Sequence, residues 1–242
     1  AIISNAVTIA DAGAFSVGLG SMTHIKTLTV TATNVTTMTL INGASSVVLD
    51  DTYPIYIFEF VNIHSVVDDR NFTINFTADG TNFNVAKTGT NIRADHQENG
   101  GSGALAYREN ADFAQVTGAV PFGEASDGNA DNCLGGRLIL FNPSSTTFVK
   151  HFTHEITNNA NYTNASGKAE ACHVAGYCNT TSAITGFQLA AGGNALNGTI
   201  NTGARVTGTV GQLYTGVVTL DGNTILSTTN DDIRFVNKVV SD

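Results

Sequence analysis

The residues of this chain best suited to hold a metal ion are His151, His154, Cys172, His173 and Cys178. Zinc takes Cys sulfur and His nitrogen at short spacing. On a strand, however, residues i and i+3 point to opposite faces, so His151 and His154 cannot ligate together from regular β structure. Cys172-x5-Cys178 is also longer than the usual metal knuckle. Strand histidines and a local pair of thiols are the plainer reading, and no metal is expected. Asp127-Gly128-Asn129-Ala130-Asp131 sets oxygens at alternating positions, as a calcium loop does at its start. The Gly after the third ligand and the closing Glu are both missing, so a turn is expected there. Asp50-Asp51 and Asp68-Asp69 are carboxylate pairs of the kind a glycosidase uses. Both sit beside turn residues, where Asp caps and solvates. There is no G-x-S-x-G elbow, no H-E-x-x-H and no P-loop; Gly101-Ser102-Gly103 reads as a flexible loop. The N-x-[ST] sequons at Asn71, Asn75, Asn161 and Asn179 arise readily in so Asn- and Thr-rich a chain. The expectation is a protein with no enzymatic activity, no catalytic residues and no cofactor.

The elements that would have to position any site are written in the composition. The 242 residues are 42% hydrophobic, enough to fill a core, yet only 13% are charged. Ordinary soluble domains carry about 25% charged residues. Here Thr, Asn, Ser and Gly must supply the surface. Eleven basic against 20 acidic residues, a net charge of -9, cannot neutralise a row of phosphates. Nucleic acid is therefore excluded as a partner, and an anionic membrane surface is disfavoured likewise. The longest apolar stretches, such as Pro54 to Val61, are too short to span a bilayer and include Glu59. Residues 1–20 lack the basic start and compact apolar core of a secretory signal. Ala1 is what removal of an initiator Met would leave, so synthesis in a cytoplasm without export is expected. Three Cys cannot all pair, and free thiols fit that compartment.

No long segment repeats apolar residues with helical spacing, whereas β-branched and aromatic runs between turn signals recur. Residues 25–31 alternate, with Ile25, Thr27, Thr29 and Thr31 on one face and Leu28 and Val30 on the other. Val35 to Ile41 closes at the turn pair Asn42-Gly43. Pro54 to Asn62 is apolar on both faces, as expected of a central strand covered on both sides. Phe72, Ile74 and Phe76 alternate inward, and Asp79-Gly80 turns the chain into Phe83 to Val85. Residues 87–132 are polar and Gly-rich, and read as a long, partly ordered excursion. Phe148, Lys150, Phe152, His154 and Ile156 share one face of a later strand. Further strands follow to Ile200, then four more to Val239 with a hairpin turn at Asp221-Gly222.

The pattern predicts an all-β chain, an antiparallel β-sandwich of jelly-roll type with an extended N-terminal arm and a C-terminal β extension. Residues 1–21 form the arm, 22–200 the sandwich body with its polar insertion at about 87–132, and 201–242 a C-terminal β-hairpin extension. The arm's Ile2, Ile3, Val7, Ile9, Phe15, Val17 and Leu19 cannot be buried by the arm alone and are the candidate assembly contacts.

Four segments also carry a resemblance: AIISNAVTIADAGAFSVGLGSMTHIKTLT (1–29), TYPIYIFEFVNIH (52–64), FNPSSTTFVKHF (141–152) and AGYCNTTSAI (175–184). Together they resemble uncharacterised virion structural proteins of marine tailed bacteriophages, over most of residues 1–200. The resemblance implies a β-sandwich body and a phage structural role, and it implies no catalytic residues. This chain departs from it by continuing past Ile200. The expected function is a bacteriophage virion structural protein: an oligomeric capsid decoration or cement protein that binds the major capsid protein through its arms. The alternative is a tail or head fibre or receptor-binding module that uses the 87–132 segment. Either would be made in the host bacterial cytoplasm and end in the virion.

Overall fold

A computed structural model describes residues 22–32, 34–126, 128–129, 132–160 and 167–205, and short pieces between 213 and 241. Among them there is no helix. Up to Arg205 the chain forms one compact unit of two antiparallel sheets. The larger runs from β1 (Met22–Val30) through β13 (Leu196–Arg205), β3 (Ile55–Ser65), β9 (Leu134–Phe141), β10 (Lys150–Ala160), β11 (Lys168–Cys178) and β5 (Lys87–Gln97) to β6 (Gly103–Tyr107). A further strand, β7 (Phe113–Val116), pairs with β5 as well. The smaller sheet is β2 (Thr37–Ile41), β12 (Gly186–Ala190), β4 (Arg70–Thr77) and β8 (Val120–Ser126).

Alternation decides which side chains meet between the sheets. Tyr56, Phe58 and Phe60 of β3, and Phe152, His154 and Ile156 of β10, point inward and are buried. Phe72, Ile74 and Phe76 of β4 answer them from the small sheet. Phe187 of β12 is the hub: its ring stacks on Phe58 at 4.9 Å and meets Phe76 edge-on at 5.8 Å. Phe60 meets Phe122 edge-on at 4.6 Å, and Phe76 reaches Phe152 at 5.3 Å. Offset and edge-on pairs at these separations are favoured beyond the area they bury.

Two further phenylalanines need glycine partners. Phe152, Gly176 and Gly89 lie side by side on β10, β11 and β5, with Phe113 of β7 beyond. Phe113 and Phe152 stack almost parallel at 6.4 Å, over the two glycines. A Cβ on Gly176 would sit 2.6 Å from the Phe152 ring, and one on Gly89 would sit 2.5 Å from that of Phe113. Elsewhere a bulge breaks the pairing of β3 with β9 and β13 around Asn62, whose φ is +52°.

Several expectations change in the folded chain. β3 is central but covered on one face only: Ile55 and Ile57 are half-exposed, and Val61 is 44% exposed. A second bulge, between His24 and Lys26, resets the phase of β1. Ile25 therefore packs against the core together with Leu28 and Val30 rather than opposite them. Residues 87–132 are not a loop excursion, since β5, β6, β7 and β8 all lie there. Their polar outer faces hide the pattern, because the inward positions include Lys87, Gly89 and Asn91 beside Phe113, Val120, Phe122 and Gly123. Phe83 to Val85 forms no strand, and Phe148 precedes β10 and is exposed.

Residues 206–242 form a separate unit. In it Leu213–Tyr214 pairs with Arg234–Phe235, and Val218–Leu220 with Val239–Ser241, both in parallel. Parallel pairing of this kind demands a long crossover; the hairpin turn expected at Asp221-Gly222 lies outside the described residues. The arm, residues 1–21 with its seven apolar positions, lies outside the described residues.

Glycine under a stacked ring gives a direct test. Gly176→Ala should cost about 1–3 kcal/mol by overpacking, read from urea unfolding midpoints. Combining it with Phe152→Leu should cost less than the sum of the two single losses. Additive losses would mean that ring and glycine do not depend on each other.

Candidate functional site

The outward residues of β5, β10 and β11 alternate with the inward glycines and Phe152, and they floor a groove of about 520 Å³. Thr88 and Thr90, His151 and Thr153, and Ala175 and Tyr177 line it from these strands. Tyr107 from the end of β6 and Asp112 from the connection to β7 form its wall. Ala175 stands between Thr90 and Thr153 in register, so the floor is low there and the rings of Tyr177 and His151 rise beside it. Those two rings lie 6.0 Å apart. The Tyr107 hydroxyl donates to Asp112 Oδ2 at 2.6 Å, which fixes the wall and holds the phenol above its ordinary pKa. Thr88 Oγ1 accepts from the Gln115 backbone N–H at 3.0 Å, and Asn179 Nδ2 donates to Gln115 Oε1 at 2.6 Å. The groove brings the aromatic rings of Tyr107, Tyr177 and His151 together with the hydroxyls of Thr88, Thr90 and Thr153.

The candidate metal cluster comes apart. His151 faces outward into this groove, and His173 is also exposed, 3.9 Å from Glu155. His154 faces inward, its ring edge-on to Phe122 at 4.8 Å. Both nitrogens of His154 are buried without a hydrogen-bond partner. Burial pushes this imidazole down to about 3, with the charge of His173 adding to the effect. Cys172 and Cys178 are both buried on β11 and are not joined in a disulfide. Six residues of strand separate them by about 20 Å, too far to bridge. Cys133 is exposed and free. Among the described residues no group of three or more His, Cys, Asp or Glu could hold a metal ion.

One cluster escaped the sequence reading. Lys150, Cys178 and Lys87 lie in one row across β10, β11 and β5, all fully buried. Lys87 Nζ donates to Asn75 Oδ1 at 2.6 Å and to the Val85 carbonyl at 2.7 Å. Lys150 Nζ donates to the Phe148 and Thr180 carbonyls at 3.2 and 3.0 Å. Burial lowers Lys87 to about 8 and lowers Lys150 in the same direction. Two ammonium groups would normally make a thiolate, but burial outweighs them and Cys178 is pushed up to about 12. A protonated thiol with no route to solvent is no nucleophile. The available signal was Lys150 at an inward position of an apolar strand face.

The carboxylate pairs sit in turns. Asp50 Oδ1 accepts from the Thr52 N–H at 2.9 Å, and bonds to Thr52 hold its carboxyl below the usual range. Asp68 Oδ1 accepts from the Gly128 N–H at 2.8 Å. Asp127, Ala130, Asp131 and Asn161 lie outside the described residues. Of the other sequons, Asn71 and Asn179 are exposed, whereas Asn75 is buried against Lys87.

His154 makes stability depend on pH. Its folded pKa lies below the unfolded value near 6.5, so the fold must keep it neutral. The stability this allows is complete above about pH 6.5 and is lost as pH falls toward about 3. His154→Leu should flatten the Tm profile between pH 7 and 4 and raise Tm at the acid end; an unchanged acid slope would show that another group carries it.

Compared with known proteins, the chain matches no protein-family model, no curated sequence and no solved structure.

Proposed function

We propose that this chain is a non-catalytic bacteriophage virion structural protein, most simply an oligomeric capsid decoration or cement protein. The observation that carries the reading is the outer face of the nine-stranded sheet. At its centre Ile55 stands opposite Phe141 and Ile57 opposite Ile139, in register on β3 and β9, and all four are exposed or half-exposed. A contiguous apolar patch on an otherwise polar face marks an association surface. Beside it runs a row of exposed side chains, His173, Glu155, Arg137 and Glu59, in register across four strands. Arg137 and Glu155 pair at 2.8 Å but are about half-exposed, so the pair adds little stability and more readily sets register with a partner. The jelly-roll assignment belongs to the same proposal. It is supported by the way the chain alternates between sheets from β1 to β4 and returns to the small sheet at β8 and β12.

In this reading the outer patch packs against a second copy, while the arm carrying Ile2, Ile3, Val7, Ile9, Phe15, Val17 and Leu19 grips the major capsid protein. Low charge serves both contacts, because few ions need be stripped of water. The second reading, a fibre or receptor-binding module, is favoured by a different observation. The groove wall is made by Tyr107 and Asp112, within the 87–132 segment.

Purified protein should bind empty mature capsids and raise their melting temperature; binding to host cells alone would overturn the cement reading. The double variant Ile57→Lys with Ile139→Lys should stay folded by circular dichroism, because both side chains are already part-exposed. Sedimentation should then find it dissociated to monomers. A double variant that assembles like the parent rules out this face as the contact.

A further inference from the structure

We infer that the groove between Tyr107 and Tyr177 binds a neutral saccharide, presented by its apolar ring face to the aromatic side chains and by its hydroxyls to the threonines. The inference rests on the receptor-binding reading and supplies its ligand class.

The groove's chemistry narrows the occupant by elimination. Its volume, about 520 Å³, falls within the range of small-ligand sites, roughly 300–1,000 Å³. No Lys or Arg lines it, Asp112 does, and the chain's net charge is -9. Sulfated, phosphorylated and sialylated ligands would meet repulsion with no compensating cation. A wholly apolar ligand would bury the hydroxyls of Thr88, Thr90 and Thr153 without replacing their water, at a cost for each. An extended peptide adds to a sheet through a free edge, whereas β5, β10 and β11 already pair on both sides here. What remains is a ligand apolar on its faces and rich in hydroxyls at its rim. A neutral hexose has that distribution.

The parts are pre-positioned, which lowers the ordering cost of binding. Tyr177 is held beside the His151 ring and lines the groove. Tyr107 is pinned by its bond to Asp112 Oδ2 at 2.6 Å, and the second carboxylate oxygen can accept from a sugar hydroxyl. Thr88 Oγ1 already accepts from the Gln115 N–H, so its own hydroxyl proton is directed to another acceptor. Ala175 leaves the depression between Thr90 and Thr153 into which a ring can settle. Floor, platform and wall come from four strands, β5, β6, β10 and β11, and the connection that carries Asp112.

The test titrates the full chain with glucose, galactose, mannose, N-acetylglucosamine and their neutral oligomers, followed by calorimetry and by NMR of the tyrosine and histidine rings. At least one sugar should bind saturably and shift the Tyr177 and His151 resonances. Tyr177→Ala and Tyr107→Ala should each weaken that binding by about ten-fold, a loss of roughly 1.4 kcal/mol. Both rings are partly exposed, so the variants should melt within a few degrees of the parent. Thr29→Ala, on the far strand β1, should change nothing. Absence of saturable binding by every neutral sugar overturns the inference, as does binding indifferent to both tyrosines. Preferential binding of a sialylated or sulfated glycan, or of a peptide, overturns it too. Adsorption of the protein to host cells is measured separately. Cell binding without sugar binding leaves the receptor reading standing and removes this ligand; sugar binding without cell binding does the reverse.

Discussion

The stacking of Phe113 and Phe152 over Gly89 and Gly176 fixes the relation of four strands at once. Each ring occupies the space a neighbouring side chain would need, so β5, β7, β10 and β11 can take only one register. Phe76 then carries the arrangement across to the small sheet through Phe152, and on to the Phe187 hub. Slipping β11 by one residue would turn Tyr177 or Ala175 inward beneath Phe152 and turn the buried Val174 and Cys172 outward. Side-chain period two makes that exchange complete along a strand. The groove on the opposite face is a consequence of the same register. Where Gly176 lets a ring lie inside, its neighbours Ala175 and Tyr177 are set outside as floor and platform.

The polar groups inside obey a different rule. Lys87 and Lys150 are tolerated because each ammonium finds two oxygens, and Cys178 between them stays a thiol. His154 has no such partners and is tolerated only while neutral. A buried group that cannot be satisfied is stable in one protonation state only. The interior therefore contributes structure and acid sensitivity.

How much of this was legible follows from where each signal is stored. The inward aromatics of β3 and β4 and the turns at Asn42-Gly43 and Asp79-Gly80 are local, and the sequence displays them. Asp79 even shows why: its carboxylate accepts from the Thr81 and Asn82 N–H groups and turns the chain. Strands β5 and β6 are not legible because their outer faces carry Thr, Ala and His, and two of their inward positions are Gly89 and Asn91. Bulges erase phase, as between His24 and Lys26, where one extra residue puts Ile25 on the same side as Leu28. The groove itself depends on Tyr107 meeting Tyr177 and His151 across strands distant in sequence. No spacing rule in one chain encodes that meeting.

The sparse charge can be given a place as well as a value. On the outer sheet the charged positions concentrate in the row through Glu59, Arg137, Glu155 and His173, while the rows beside it are Thr, Ala and Ile. Hydroxyls and methyls can be covered by another surface without the desolvation cost that ions impose. Thr in particular offers both a methyl and a hydroxyl, so it pairs with apolar and hydroxylated surfaces alike. A shell contact and a sugar contact make the same demand of a sheet: neutral, flat and fixed in register. Beside its one charged row the face is uncharged, and its register is set from within by rings packed on glycine.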